Sequence, residues 1–254
     1  MTWNASAPEA HLYLGQFLID SGKLDTGADE VRKAIQLDPV SPDAAYELGR
    51  ALPAGPDAVT ALERATRERP SFTAAWIKLA GVELQLGHIA NAHKAAEAAL
   101  RGPVQDAPAH VLMGKVYLAE NKPDDAMKEA QAALGIMANS AAAKLLTADA
   151  YAQKGEIDLA LEQYQAAYGL DHSDPSALLN ASAACLKAGR ITSAKAFGDK
   201  ATKDFPALAS SWVAYGDALV ADKDGPAAKV AYDKALTAKG VDAASVRAKI
   251  AAIK

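Results

Sequence analysis

Cysteine is nearly absent from this chain: Cys185 is the single one among 254 residues. No intramolecular disulfide can form, and a reducing compartment suits such a composition. No run of about 18 apolar residues occurs, so no direct membrane insertion is expected. An excess of basic charge is also missing. The 27 Lys and Arg stand against 31 Asp and Glu, for a net charge of −4. A nucleic-acid footprint needs a clustered basic face, so no nucleic-acid partner is expected. Residues 1–10 lack a basic stretch followed by an apolar one and do not read as a secretory signal. The expected location is the cytoplasm, or a soluble domain of a larger or exported protein. A glycine-rich phosphate loop, a nucleophile elbow and a His-Glu-x-x-His pattern are all missing.

The residues that might carry chemistry have simpler readings. His88 and His93 lie five apart, whereas metal ligands on one helical face are usually three or four apart. They read as surface histidines. Asp171, His172, Ser173 and Asp174 precede Pro175, where turn and cap chemistry accounts for them. Asp124 and Asp125 follow Pro123 at a helix start, where carboxylates complement the helix dipole. No catalytic constellation is found, so no enzyme, no cofactor and no metal site are expected.

What the chain does have is a period. Gly15, Gly49, Ala80, Gly114, Ala148, Ser182 and Gly216 follow one another at 34 residues, with one interval of 31. Four residues before each small anchor stand His11, Ala45, Trp76, His110, Lys144, Leu178 and Trp212. Three after it stand Leu18, Leu52, Glu83, Tyr117, Tyr151, Cys185 and Leu219. These offsets share one helical face. By that alignment His11 and His110 pack between helices, and Cys185 is a buried small hydrophobe. Gly22, Gly87, Asn121, Gly155 and Gly189 follow, where a helix needs a left-handed stop. A second helix then repeats its own small columns. One runs from Gly27 through Ala58, Ala92, Ala126, Ala160 and Ala194 to Ala228, and another runs from Ala34 to Ala235. Between them lie Val31, Leu62, Ala96, Ala130, Tyr164, Gly198 and Tyr232. Pro39, Pro70 and Pro206 close three units.

These columns resemble the tetratricopeptide repeat family. Unit seven carries the pattern most fully, with Trp212, Tyr215, Gly216, Leu219, Ala228, Tyr232 and Ala235. Glu83 in an apolar column and Gly198 in an aromatic one depart from it. The resemblance implies an all-α, right-handed solenoid, a superhelix of helix–turn–helix repeats, occupying 1–254 as a single array. Its repeats fall at about 8–41, 42–72, 73–106, 107–140, 141–174, 175–208 and 209–241. Residues 242–253 read as a capping helix, with Val246, Ile250 and Ile253 turned to the last repeat and Arg247, Lys249 and Lys254 to water.

The resemblance also implies that the first helix of each repeat lines a concave groove. Three before the anchor stand Leu12, Tyr46, Ile77, Val111, Leu145, Leu179 and Val213, all apolar. One after it are Gln16, Arg50, Lys115, Asp149 and Asp217; four after it are Leu84 and Leu118 among others. With Lys78 they form the candidate partner-binding surface. Arg50, Lys78 and Lys115 predict a positive first half, and Asp149 and Asp217 an acidic second half. The apolar column can equally extend the core between repeats. The family's lysine- and asparagine-based clamp for a terminal carboxylate is matched here only by Lys78, so that mode is not expected.

The second unit is three residues short, at Leu52-Pro53-Ala54-Gly55-Pro56. Pro53 should end its first helix early and Pro56 open its second. The expected result is a notch bordered by Tyr46, Arg50 and Leu84. The function this supports is a non-catalytic scaffold binding a protein or peptide partner, in a bacterial secretion, pilus, motility or envelope assembly. Two alternatives stay open: a regulatory or docking segment of a larger enzyme, and a self-associating structural array.

Overall fold

The computed structural model of the protein describes residues 7–102 and 104–253. Residues 1–6, which open the segment read for a targeting signal, and Lys254 of the cap lie outside the described residues. Fifteen α-helices follow one another among the described residues, with no sheet. They divide into two compact units, Met1–Glu120 and Asn121–Lys254.

The first unit holds α1 (Pro8–Asp20), α2 (Leu24–Leu37), α3 (Pro42–Ala51), α4 (Pro56–Glu68), α5 (Thr73–Gln85), α6 (Ile89–Leu100) and α7 (Ala107–Ala119). Each helix packs on the next, and each odd-numbered helix also touches the following odd one. The second unit holds α8 (Pro123–Ile136), α9 (Ala141–Lys154), α10 (Ile157–Leu170), α11 (Ser176–Lys187), α12 (Ile191–Asp204), α13 (Ala209–Ala221), α14 (Gly225–Thr237) and α15 (Ala243–Ala251). Its helices pack in the same sequential way, α9 on α11 and α11 on α13 included. The chain is an all-α solenoid of helical hairpins.

The small columns are where helices meet most closely. All seven first-helix anchors, Gly15 to Gly216, are buried. A Cβ built on Gly15 would stand 2.5 Å from Val31, one on Gly49 2.5 Å from Leu62, and one on Gly216 2.5 Å from Tyr232. Each glycine thus receives the bulky residue of its own second helix. The departure at Gly198 has a cause of the same kind. A Cβ there would lie 2.8 Å from the Tyr215 Cα, so the glycine lets α12 meet the backbone of α13.

Helix ends follow their local sequence. Gly22, Gly87, Asn121, Gly155 and Gly189 all have left-handed backbones, with φ from 60° to 82°. Lys223 holds the same place in the last hairpin, with φ 64°, although lysine has no preference for that region. Ser41 and Ser140 cap α3 and α9 by accepting the amides of Ala44 and Ala143. In the short second repeat, α3 stops at Ala51 and α4 opens on Pro56. Leu52 is extended, the conformation a following proline imposes. The last helix, α15, seats Val246 at 3% exposure, while Ile250 and Ile253 pack on a core that includes Tyr232 and Ala235. The Lys249 ammonium donates to Asp217 at 2.7 Å.

Candidate functional site

Helix α5 sits between α3 and α7 in the first unit. One of its faces carries Ala74, Ile77, Lys78, Gly81 and Gln85, spaced three and four apart as a single helical stripe demands. Together with Tyr46 of α3 and Pro108 and Leu112 of α7, this stripe bounds an open groove of about 450 Å³. Three expected residues therefore line one cavity: Tyr46, Ile77 and Lys78. The Tyr46 ring lies 4.9 Å from that of Phe72 and takes the Arg50 guanidinium at 5.9 Å. Burial pushes its hydroxyl pKa up. Lys78 has no ion pair among the described residues, and Asp106 adds a carboxylate at the groove's edge. Gly81 floors the groove: a Cβ there would meet nothing within 4 Å. Ala74, Gly81, Asp106 and Leu112 were not among the candidate residues. For Ala74 and Gly81 the signal is the helical stripe through Ile77, which picks them out once α5 is drawn as a helix; Asp106 and Leu112 belong to the start and body of α7, and no stripe on α5 points to them.

The rest of the apolar column is less free than a groove lining requires. Leu12, Leu145 and Val213 are half-buried against the core of their own hairpins, as are Ile77 and Leu84 in part. Leu179 and Leu118 are half-buried too. Val111 departs outright: at 6% exposure it is a core residue. The expected notch is also altered, because Tyr46 borders the groove but Arg50 and Leu84 do not.

The charges need a larger correction. Arg50 is committed to Asp20 at 2.7 Å and to Glu47 at 2.8 Å, and Glu47 in turn accepts from Gln16 at 3.1 Å. Asp149 accepts the Tyr164 hydroxyl at 2.6 Å and the Asn180 amide at 3.0 Å. Asp217 accepts the Tyr232 hydroxyl at 2.6 Å as well as Lys249. Burial first, then these carboxylates, push the Tyr164 and Tyr232 hydroxyls far above the ordinary tyrosine range. Both aspartates are part-buried acceptors within their own unit; Asp149 takes neutral donors, whereas Asp217 is also paired with the Lys249 ammonium. Lys78 and Lys115 have no ion pair among the described residues.

The opposite face of α5 bounds a second, larger cleft of about 930 Å³ between α4 and α6. Trp76 lies there, its indole donating to the Pro70 carbonyl at 2.9 Å. Glu83, 3% exposed, is held by His88 at 2.7 Å and Asn91 at 3.3 Å, which explains a carboxylate in an apolar column. His93 faces a different carboxylate, Glu120, at 2.7 Å. His11 bridges to Glu30 of α2. Cys185 is fully buried beside Ala194 and Ala218, and burial raises its thiol pKa. Asp171 accepts the Ser173 amide and hydroxyl, and Asp174 the Ser176 amide, as turn chemistry requires.

Comparison with known proteins bears on the family. No curated protein matches the sequence. A tetratricopeptide repeat protein from Parabacteroides merdae superposes with a TM-score of 0.75 at 16% identity, covering 96% of this chain and 97% of that one. The pilF protein of Pseudomonas aeruginosa gives 0.62 at 18% identity, over 80% of this chain and 94% of its own. Human IFIT1, in a dimer with m7Gppp-AAAA, gives 0.76 at 17%, over 96% of this chain and 62% of its own. These likenesses show the fold. The family sequence profile, a tetratricopeptide repeat, matches residues 55–110, 111–177 and 145–209. Those segments span more than half of the chain, so the chain belongs to the tetratricopeptide repeat family.

Proposed function

We propose that this protein is a non-catalytic scaffold that binds a segment of another polypeptide along the first-helix groove of its first unit. The groove across α3, α5 and α7 carries the reading, because it is open, largely apolar and free of internal ion pairing at Lys78. Tyr46, Ile77 and Leu112 suit an apolar side chain, and Lys78 and Asp106 set its orientation through charge. Polypeptide is favoured over nucleic acid because one lysine beside one aspartate makes no basic stripe. The reading extends to a place in a bacterial secretion, pilus, motility or envelope assembly; the fold shared with pilF of Pseudomonas aeruginosa fits it.

Gly81 supplies the test. Gly81→Leu adds a side chain to the groove floor where nothing obstructs it, and it replaces glycine with a strong helix former. The purified chain is used to capture partners, which are identified by mass spectrometry and then titrated against both forms. Binding to Gly81→Leu should fall at least about tenfold, which is roughly 1.4 kcal/mol, while helicity and melting hold or improve. Equal affinity for the two forms would remove the groove as the site.

A further inference from the structure

Helix α1 is the one first-helix of a hairpin with no helix ahead of it among the described residues, and its side chains register this. Two residues after the small anchor, the six later repeats place Ala51, Val82, Val116, Ala150, Ala184 and Ala218, each at most 9% exposed. Phe17 holds that position in the first repeat and is 68% exposed. One residue before the anchor, Leu79, Met113 and Ala181 are at most 5% exposed, but Leu14 is 46% exposed. Tyr13, four residues before Phe17, is 61% exposed. Tyr13, Leu14 and Phe17 thus form one apolar stripe that stacking would normally cover. Patches of this kind mark contacts.

We infer that a second copy of this chain covers the stripe, through a two-fold contact between the α1 helices. Packed antiparallel about Gly15, each Tyr13 faces the Phe17 of the other copy, so the aromatic pair forms twice. The flanking charges are self-complementary in the same arrangement. Glu9 stands at one end of α1 and Lys23 just beyond the other, both exposed and neither paired among the described residues. The two-fold brings each Glu9 toward the Lys23 of the other copy. Asp20, the remaining charge beside the stripe, is already bonded to Arg50, which it shares with Glu47. A two-fold contact uses the same patch on both copies and closes on itself, so the product is a dimer and not a fibre. A 13-residue helix is about 20 Å long. It buries less than a standard interface of roughly 1,600 Å², and the dimer is therefore reversible in the micromolar range.

Sedimentation equilibrium over about 1–300 µM tests this. The wild-type mass should rise from 26.4 kDa toward twice that value. Phe17→Glu should weaken the dimer at least tenfold with unchanged helicity, because the side chain is exposed. Glu9→Lys should weaken it severalfold, and Glu9→Lys with Lys23→Glu should restore it. Val230→Glu, at an exposed apolar site on α14, should dimerise like wild type. A wild-type chain that stays monomeric throughout overturns the inference. So does a dimer that ignores Phe17→Glu, or a charge swap that fails to rescue.

Discussion

An alanine should have opposite effects at Gly81 and Gly198, two glycines that both lie inside helices. Replacing glycine by alanine in a helix interior gains about 1 kcal/mol, because the unfolded backbone loses freedom and the helix loses none. At Gly81 a Cβ meets nothing within 4 Å, so Gly81→Ala should keep most of that gain. At Gly198 the Cβ stands 2.8 Å from the Tyr215 Cα and 3.1 Å from its amide nitrogen. The obstacle is the backbone of α13, which cannot rotate aside as a side chain can. Seating the methyl group requires α12 and α13 to part by several tenths of an ångström. Overpacking of this kind costs about 1–3 kcal/mol, which offsets the propensity gain or exceeds it. Gly198→Ala should therefore be net destabilising, by up to roughly 2 kcal/mol. For a chain of this length each kcal/mol moves the melting point by about 2–4 °C. A repeat array need not melt in one step, so thermal melts should be paired with amide hydrogen exchange. Faster exchange should be confined to α12, α13 and their neighbours. Melting points that shift in the same direction for both variants would refute the argument from close approach.

Three further outcomes are expected. Lys223→Gly relieves a left-handed lysine, a conformation that costs about 1 kcal/mol or more, so urea denaturation should show a gain of roughly 0.5–1 kcal/mol. Val111→Asp buries a carboxylate in the core of the first unit and should cost several kcal/mol, seen as lost helicity or a collapsed melting point. A variant that folds normally would return Val111 to the surface. Deleting 242–254 uncovers the core around Tyr232 and Ala235 and removes the Lys249 bond to Asp217. It should lower the melting point or cause aggregation, and unchanged melting would make α15 a loose tail.

The helices and their register were legible because close packing demands particular residue types. Only glycine fits without a shift where Gly15 meets Val31 or where Gly216 meets Tyr232, and a small residue, Gly, Ala or Ser, stands at the same place in every hairpin. Pro53 and Pro56 were legible for a similar reason, since proline fixes backbone geometry regardless of context. The left-handed stop at Lys223 was not legible, because the hairpin imposes it on a residue that has no preference for it. The burial of Val111 was not legible either. Its column is apolar in all seven repeats, and valine on a helix face says nothing about how closely the neighbouring helices approach.

The internal bonding of the groove charges has a signature that the sequence does contain. Asp149 stands one residue after its anchor, and Tyr164 follows fifteen residues later. Asp217 and Tyr232 repeat the same spacing. The other repeats lack this tyrosine, carrying Val31, Leu62, Ala96, Ala130 or Gly198, and none of them has an aspartate after the anchor. A buried tyrosine hydroxyl needs an acceptor, and the aspartate supplies it from the facing helix. The aspartate is thus part of the hairpin's interior polar bonding. Arg50 is bonded in another way, between Asp20 of the preceding repeat and Glu47 of its own. Among the described residues, Lys78 and Lys115 have no such companion. Both belong to the first unit, and Lys78 lines its groove.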